Sequence, residues 1–503
     1  MKLSYLPPLM VYVAAGVSGL TGIVGTFFVK EYLGISAEFL AALGFWAGIP
    51  WALKMPVGHL VDLIWRWKAV LVYLGAALIT ASLLIMVGLI REPQAMREMM
   101  SAERWFVLST LLAPVGYVVQ DAVADAMTVE AVPRFDDQGR RYDAAAMKAM
   151  HTTMQTLGRV AIIGGSVLVA GLNVWLFSGA ERLPQPAKAA LYADVYTYAL
   201  AIPLLSVSGV VLHHFVKHAL PGADKTRPNW WVLGGSLVFV AITLTVGLSE
   251  VRHGQEVIFL GSFAVILFLL WRLAGELDPV ARETMVATAL VVFMFRAIPG
   301  TGAGTTWWSI DVLGFDQSFI ARLSLVASFL TLVGMFVFRR YMAENSVSRV
   351  IVMLTIASGV LALPNIGMYY GLHEWTARHT GGVVDQYVIA LIDTALESPL
   401  GQIAMIPMLA WIANTAPPHL KATYFAVMAS FTNLALSASQ LGTKYLNQLY
   451  VVTREVRDPM SGSVTVAADY SQVGFLMITA AAVGLALPLA TVWLVRAFGL
   501  RTA

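Results

Sequence analysis

The charged residues within long apolar stretches of this chain include Arg159, Arg296, Asp393 and Glu397. An ionised side chain in hydrocarbon is costly, so such residues usually face a cavity or pair with a partner. A guanidinium binds a carboxylate through two parallel hydrogen bonds, and a buried carboxyl group can hold a proton. The pattern predicts a site for a small organic anion, with Asp393 or Glu397 as proton carrier. The alternative is that Arg296 and Asp393 simply neutralise each other.

Amides and tryptophans in the same stretches are candidates for contacts with a ligand. Gln155, Asn433 and Gln440 could hydrogen-bond a heteroaromatic ring, or they could join neighbouring helices. Four tryptophans could stack on a flat ligand or anchor the chain at the membrane interface: Trp46, Trp51, Trp307 and Trp308. The predicted ligand-binding residues are Arg159, Arg296, Asp393, Asn433 and Gln155.

A second charged group lies near one end of the apolar stretches. Asp121 and Asp125 are four residues apart and share one helix face. Lys54 lies at a similar depth in another stretch, and Asp62 follows it. One interpretation is a gate whose ion pairs close the inner mouth of a membrane protein. The other is a static salt-bridge cluster that fixes the ends of helices.

The stretches that carry these residues are long enough to cross a membrane. Of the 503 residues, 58% are hydrophobic and 13% are charged, whereas soluble domains have about 25% charged residues. A bilayer core needs about 20 helical residues per crossing. We predict an all-α membrane protein with an uncleaved first span. The fourteen predicted spans lie near residues 8–29, 37–57, 69–90, 105–129, 147–177, 194–217, 230–248, 256–274, 284–303, 317–338, 350–371, 385–413, 421–446 and 472–497.

Composition and motifs exclude several classes of protein. The chain has no cysteine, which excludes disulfides, thiolate metal sites and cysteine nucleophiles. It has neither a GxxxxGKS/T phosphate loop nor an HExxH zinc motif, and His373 and His379 are too far apart to share a helix face. A net charge of +3 is too small to favour nucleic acid. We expect no enzymatic activity, no metal, no cofactor and no nucleic-acid partner.

Lysines and arginines in the loops indicate the orientation. If the N-terminus is inside, more of these residues fall on inner segments than on outer ones, as membrane proteins prefer. An even number of spans then puts both termini in the cytoplasm. We expect a monomer in the cell (inner) membrane, whose partners are the lipid bilayer and a small-molecule substrate.

An internal repeat indicates the domain plan. Residues 33–43 read LGISAEFLAAL, and residues 313–323 read LGFDQSFIARL. Both segments precede the second span of a six-span block, which favours a true repeat over chance similarity. The predicted domains are a six-helix bundle at 1–220, two inserted central helices at 221–281 and a second six-helix bundle at 282–503. Two six-span halves in parallel repeat are the plan of the major facilitator superfamily.

Several segments resemble the folate–biopterin transporter family. Residues 120–130, QDAVADAMTVE, are similar to its D-x3-D-x4-E motif, and residues 54–62 are similar to its K-x3-G-x3-D pattern. Residues 313–324 and 417–433 resemble two further stretches of that family. The matched positions in the first half are Lys54, Gly58, Asp62, Asp121, Asp125 and Glu130. The resemblance therefore adds Glu130 to the predicted cytoplasmic gate.

This resemblance implies a secondary active transporter that moves folates or pterins by proton symport and alternating access. Such ligands contain a flat pterin ring. Folates also carry glutamate carboxylates, which would suit the arginines predicted at the ligand, Arg159 and Arg296. Two alternatives remain open. One is a transporter that resembles the muropeptide permeases, and the other is a non-transporting membrane assembly or pigment-delivery factor on the same fold.

Overall fold

The computed structural model describes most of the chain. The described residues are 3–52, 54–64, 67–132, 140, 142–216, 230–247, 249, 251–275, 277–401, 403, 408, 421–457 and 464–502. Asp62, Glu130 and Gln155 lie in helices, but their side chains are outside the described part. The side chains of the motif at residues 417–426 are also outside it.

The described chain is almost entirely helical, as the composition predicts. The helices are α1 (Leu6–Val17), α2 (Gly22–Tyr32), α3 (Ala37–Ala52), α4 (Lys54–Leu63), α5 (Lys68–Arg91), α6 (Pro93–Met99), α7 (Ala102–Ala131), α8 (Ala144–Leu176), α9 (Gln185–Ala199), α10 (Ala201–Val216), α11 (Trp230–Gly247), α12 (Gly254–Ala274), α13 (Pro279–Arg296), α14 (Ala303–Asp311), α15 (Gln317–Val337), α16 (Arg339–Glu344), α17 (Val347–Tyr369), α18 (Leu372–His379), α19 (Gln386–Glu397), α20 (Lys421–Leu449) and α21 (Val473–Ala497). Short 3-10 turns lie at Leu3–Tyr5, Ser18–Thr21, Ala180–Arg182 and Ser398–Leu400.

A small antiparallel hairpin lies in the connection from α20 to α21. Its strands are β1 (Val456–Arg457) and β2 (Val464–Val466), with Val456 opposite Val466. A single bridge between Thr453 and Asp469 extends the pairing toward the helices. The hairpin therefore holds the two ends of this connection together.

Eleven helical segments of the described chain are long and apolar enough to cross a membrane. They coincide with eleven of the predicted spans. The other three predicted spans also fall on helices, namely α13, α19 and α20. Helix α19 covers only the start of the span predicted at 385–413, most of whose remainder lies outside the described residues. An all-α, multi-pass membrane protein is confirmed.

The span predicted at 284–303 is interrupted next to Arg296. Helix α13 ends at that residue, and α14 begins at Ala303. Pro299 lacks a backbone N–H and cannot continue the helical ladder. Gly302 has a φ of +72°, a conformation that glycine adopts without steric cost. The interruption leaves non-helical backbone within a predicted span, and such backbone is tolerated in a membrane only where protein or a water-filled cavity surrounds it.

Contacts divide the chain into two compact units. The first comprises Met1–Thr26 and Pro56–Trp230, and the second comprises Phe27–Met55 and Trp231–Ala503. The three-part division at residues 220 and 281 remains a prediction.

Close helix packing organises the first unit. Helix α5 packs along α7, and α1 packs on α8 and α10. A Cβ atom on Gly75 would lie 2.6 Å from the carbonyl oxygen of Gly116, and such small residues let membrane helices approach closely. Buried Gln120 of α7 donates from Nε2 to Val72 O at 3.1 Å and to Ser206 Oγ at 2.9 Å. This amide therefore links α7 to both α5 and α10.

In the second unit α3 packs along α20, and α12 also packs on α20. Near its N-terminal end α12 makes polar contacts with both neighbours. Gln255 Nε2 donates to Ala42 O at 3.0 Å, and Lys444 Nζ lies 3.1 Å from Glu256 Oε1. The Tyr445 hydroxyl donates to the same carboxylate. Helix α12 is therefore tied to α3 and α20 together.

Candidate functional site

Tyr12 and Asp125 form the centre of a polar cluster in the first unit. The Tyr12 hydroxyl donates to Asp125 Oδ1 at 2.6 Å, which joins α1 to α7. Asp121 and Arg159 lie within electrostatic range of the same phenol. A Cβ atom on Gly158 would lie 2.8 Å from the Tyr12 ring, so this ring packs directly on α8. Three helices thus bring a phenol, two carboxylates and a guanidinium together.

This cluster contains three of the residues predicted from the sequence. Arg159 is a predicted ligand contact, Asp121 and Asp125 are predicted gate residues, and all three lie within electrostatic range of Tyr12. Their predicted roles remain predictions. Arg159, Asp121 and Asp125 are each partly exposed. Tyr12 was not predicted, although a phenol within an apolar span needs a partner for its hydroxyl, and that signal was available.

The remaining gate residues are only partly placed. Lys54 is the first residue of α4 and is half-buried, and it interacts with another residue. Asp62 lies near the end of the same helix, and Glu130 lies near the end of α7, with side chains outside the described part. The gate remains a prediction.

Asp393 is the buried carboxyl group of the second unit, with only 6% of its surface exposed. Asn365 Nδ2 donates to Asp393 Oδ2 at 2.6 Å, from α17 to α19. Asp393 Oδ1 is buried and has no hydrogen-bond partner in the described structure. Glu397, one turn later, lies within electrostatic range but is exposed. The geometry therefore favours Asp393 over Glu397 as a proton carrier.

Arg296 does not neutralise Asp393 in the described structure. Its Nε donates to the backbone carbonyl of Thr432 on α20 at 3.0 Å. The next residue, Asn433, donates from Nδ2 to Trp51 O on α3 at 3.1 Å. Asn433 therefore makes the interhelical contact that the sequence left as an alternative. Arg296 is half-buried, with its guanidinium oriented by α20.

The interrupted helix beside Arg296 is fastened to α20 by three polar side chains. Ser439 Oγ donates to Ile298 O at 2.6 Å, and Gly300 N donates to Thr443 Oγ1 at 2.9 Å. Asn447 Nδ2 donates to Thr301 O at 3.2 Å. Ser439, Thr443 and Asn447 were not predicted as site residues. Their spacing of four residues on one helix face was the signal that could have found them.

Two of the tryptophans are buried against protein rather than facing a ligand. Trp307 is 2% exposed and Trp308 is 4% exposed. The Arg454 guanidinium lies over the Trp307 ring at 4.5 Å, and Trp308 packs on Tyr369 with ring centroids 5.6 Å apart. Both rings therefore contribute to packing within the second unit.

Comparison with solved structures shows which known fold this chain has. A crystal structure of peptide transporter POT in complex with alafosfalin superimposes with a TM-score of 0.64, covering 99% of this chain and 94% of that chain at 14% identity. A structure of the nucleoside transporter NupG gives a TM-score of 0.52 at 12% identity, covering 97% and 99%. This chain therefore has the all-α membrane fold of those two transporters, and the predicted fold class is confirmed.

Sequence comparison then identifies the family. The BT1 family model matches residues 237–498, and the chain belongs to this family of folate–biopterin transporters. A folate-biopterin transporter of Synechocystis sp. is 22% identical over 432 residues, which cover 85% of this chain and 71% of that protein. Folate transporter 2 of Plasmodium falciparum is 22% identical over 154 residues, 31% of this chain and 32% of that protein. The chain is thus a membrane transporter of a small molecule rather than an enzyme.

Proposed function

We propose that this chain is a secondary active transporter of folate- or pterin-like small organic anions, driven by protons through alternating access. The observation that carries the proposal is buried Asp393. One of its carboxylate oxygens accepts a hydrogen bond from Asn365, and the other is enclosed without a partner in the described structure. Leaving a buried charge so poorly solvated is expensive. A proton on Asp393 removes that charge.

Proton binding at Asp393 provides a simple coupling step. In this conformation the carboxyl group is buried, and the proposed cycle starts from its protonated form. When α19 or α17 moves and water reaches the carboxyl group, hydration stabilises the charged form and the proton leaves. A cycle that binds the proton on one side and releases it on the other moves one proton with each passage of substrate.

The substrate class is argued from the arginines and from the family. Arg159 and Arg296 carry planar guanidinium groups suited to carboxylates, and Thr432 O orients Arg296. The Synechocystis relative is a folate-biopterin transporter, and folates carry carboxylates beside a flat ring. We place the protein as a monomer in the cell membrane, with both termini cytoplasmic and with Lys54, Asp62, Asp121, Asp125 and Glu130 as the inner gate.

The test is uptake by the purified chain in proteoliposomes. Labelled folate, biopterin and an anhydro-muropeptide are offered separately, with and without an acidic exterior. We expect folate or biopterin to accumulate, and the acidic exterior to increase that accumulation. Uptake of the muropeptide alone would replace the substrate class. Absence of all three uptakes by a folded protein would support the assembly-factor alternative.

A further inference from the structure

Arg454 makes an unusual set of contacts in the connection from α20 to α21. The residue is only 3% exposed. Its Nε donates to Lys30 O at 2.7 Å, its Nη1 to Ile35 O at 2.9 Å and its Nη2 to Val29 O at 2.7 Å. The same Nη2 also donates to Leu33 O. One guanidinium thus binds four backbone carbonyls of a single segment.

These carbonyls belong to the end of α2 and to its link to α3. The last carbonyls of a helix have no partner within it and carry partial negative charge. A guanidinium has five N–H donors and no acceptor, so it satisfies several such carbonyls at once. Arg454 therefore caps α2 from a segment more than four hundred residues away in sequence. The geometry of the α2–α3 link depends on it.

A second set of contacts lies beside the first. Lys30 Nζ is 2.5 Å from Asp311 Oδ1, with side chains only 16% and 31% exposed. The Tyr470 hydroxyl donates to Asp311 Oδ2 at 2.5 Å. The Trp307 ring covers one face of the Arg454 guanidinium. The α2–α3 link is thus held to α14 and to the α20–α21 connection by two groups of polar contacts.

Arg454 and Tyr470 both keep their protons at neutral pH. Burial lowers the pKa of Arg454 to about 10, so the guanidinium remains charged. Burial, followed by the hydrogen bond to Asp311, raises the pKa of Tyr470, so its hydroxyl remains a donor. The hydrogen bonds that these two side chains donate therefore persist across the physiological pH range.

The fourteen predicted spans put all three segments on the same side of the membrane. The α2–α3 link follows the first predicted span, α14 follows the ninth, and Arg454 follows the thirteenth. In that prediction every odd-numbered span ends on the side opposite the termini. The contacts consequently join the α2–α3 link to α14 and to the α20–α21 connection on that side.

We propose that Arg454, with the Lys30–Asp311–Tyr470 group, is the latch that closes the transport pathway on the side opposite the termini. Substrate enters from that side only after the guanidinium releases the α2–α3 link and α3 separates from α20. The inference rests on the proposed transport cycle. The structure represents the latched conformation.

Because the chain lacks cysteine, one introduced thiol can report opening. Gln440 of α20 contacts α3, since a Cβ atom on Gly44 would lie 2.8 Å from its Oε1. In Gln440→Cys vesicles, a membrane-impermeant maleimide is applied from the side opposite the termini, without substrate. Adding Arg454→Ala should accelerate labelling at least about tenfold, the effect of losing a charge-assisted hydrogen bond on a two-state equilibrium. Arg378→Ala, an exposed arginine on the same side, should leave the rate unchanged.

Exchanging the charges of Lys30 and Asp311 gives a second test that does not depend on the folding of Arg454→Ala. Lys30→Asp and Asp311→Lys should each accelerate labelling, and the double exchange should return it toward the original rate. Unchanged labelling in folded Arg454→Ala and in both single exchanges would overturn the latch. Because labelling requires no substrate, failure of folate uptake alone would remove the proposed substrate and leave this inference standing.

Discussion

The Asn365 amide reaches Asp393 Oδ2 at 2.6 Å, while Asp393 Oδ1 is enclosed without a partner in the described structure. An asparagine in place of Asp393 keeps the shape but cannot carry a proton. We expect Asp393→Asn to lose the stimulation of uptake by an acidic exterior while exchange of substrate across the vesicle membrane continues. Comparing gradient-driven uptake with counterflow in the same vesicles measures the two separately.

The matched control for this change is Asp385→Asn. Asp385 caps the start of the same helix by accepting from Tyr387 N and Val388 N, and asparagine caps nearly as well. This variant should retain full stimulation. Gradient-driven accumulation that persists in Asp393→Asn would exclude the residue as proton carrier.

Tyr12→Phe removes the hydroxyl that donates to Asp125 Oδ1. The carboxylate then loses one donor in a partly buried site. We expect the free energy of unfolding in detergent to fall by about 1.5 kcal/mol, the low end for a hydrogen bond to a charged group, and uptake to slow. Tyr198→Phe, at a tyrosine that is 53% exposed, serves as control. Equal stability of the two variants would argue against a structural role for the Tyr12–Asp125 bond.

Arg296→Lys keeps the positive charge but replaces a planar, bidentate donor with a point charge. If Arg296 binds the substrate carboxylate, KM should rise about tenfold, which corresponds to about 1.4 kcal/mol, with a smaller change in maximal rate. Concentration-dependent uptake gives both values. Arg322→Lys, at an exposed arginine of α15, should change neither. An unchanged KM in Arg296→Lys would remove this residue from the binding site.

A disulfide between α3 and α20 should stop transport. Gly44 and Gln440 are in contact, and Gly44→Cys with Gln440→Cys can be oxidised in a chain that has no other cysteine. We expect oxidation to abolish uptake and dithiothreitol to restore it, because the proposed alternating-access cycle requires these helices to separate. Mass spectrometry of the oxidised protein confirms that the bond has formed.

The control staple lies within the first unit. Ser82 Oγ and Ser109 Oγ are 2.9 Å apart on α5 and α7, so Ser82→Cys with Ser109→Cys should form a disulfide between helices that move together. This staple should leave uptake nearly intact. Full uptake through an oxidised α3–α20 staple would contradict the required separation.

Apolar length predicted the helices well. A run of about 20 apolar residues has few alternatives to a membrane helix. The charges were found because each is costly in hydrocarbon. Their partners were harder to predict. Tyr12 and Asn365 pair with carboxylates on other helices, and sequence spacing gives no information about which helices become neighbours.

Arg454 shows more clearly which contacts cannot be predicted from the sequence. It lies in a polar connection where an arginine is expected to be solvated, and the sequence offered no reason to single it out. Its importance comes from burial and from four carbonyls of a distant segment. Backbone acceptors leave no signature in the sequence, because every residue has a carbonyl. Contacts of this kind can be found only from the three-dimensional structure.

The double attachment of α12 has a mechanical consequence. Gln255 holds α3, while Glu256 holds α20 through Lys444 and Tyr445. If α3 and α20 move apart, these adjacent residues cannot stay in contact with both helices. Either the hydrogen bond of Gln255 or the contacts of Glu256 must then break. Helix α12 therefore opposes the separation of α3 and α20 that the proposed transport cycle requires.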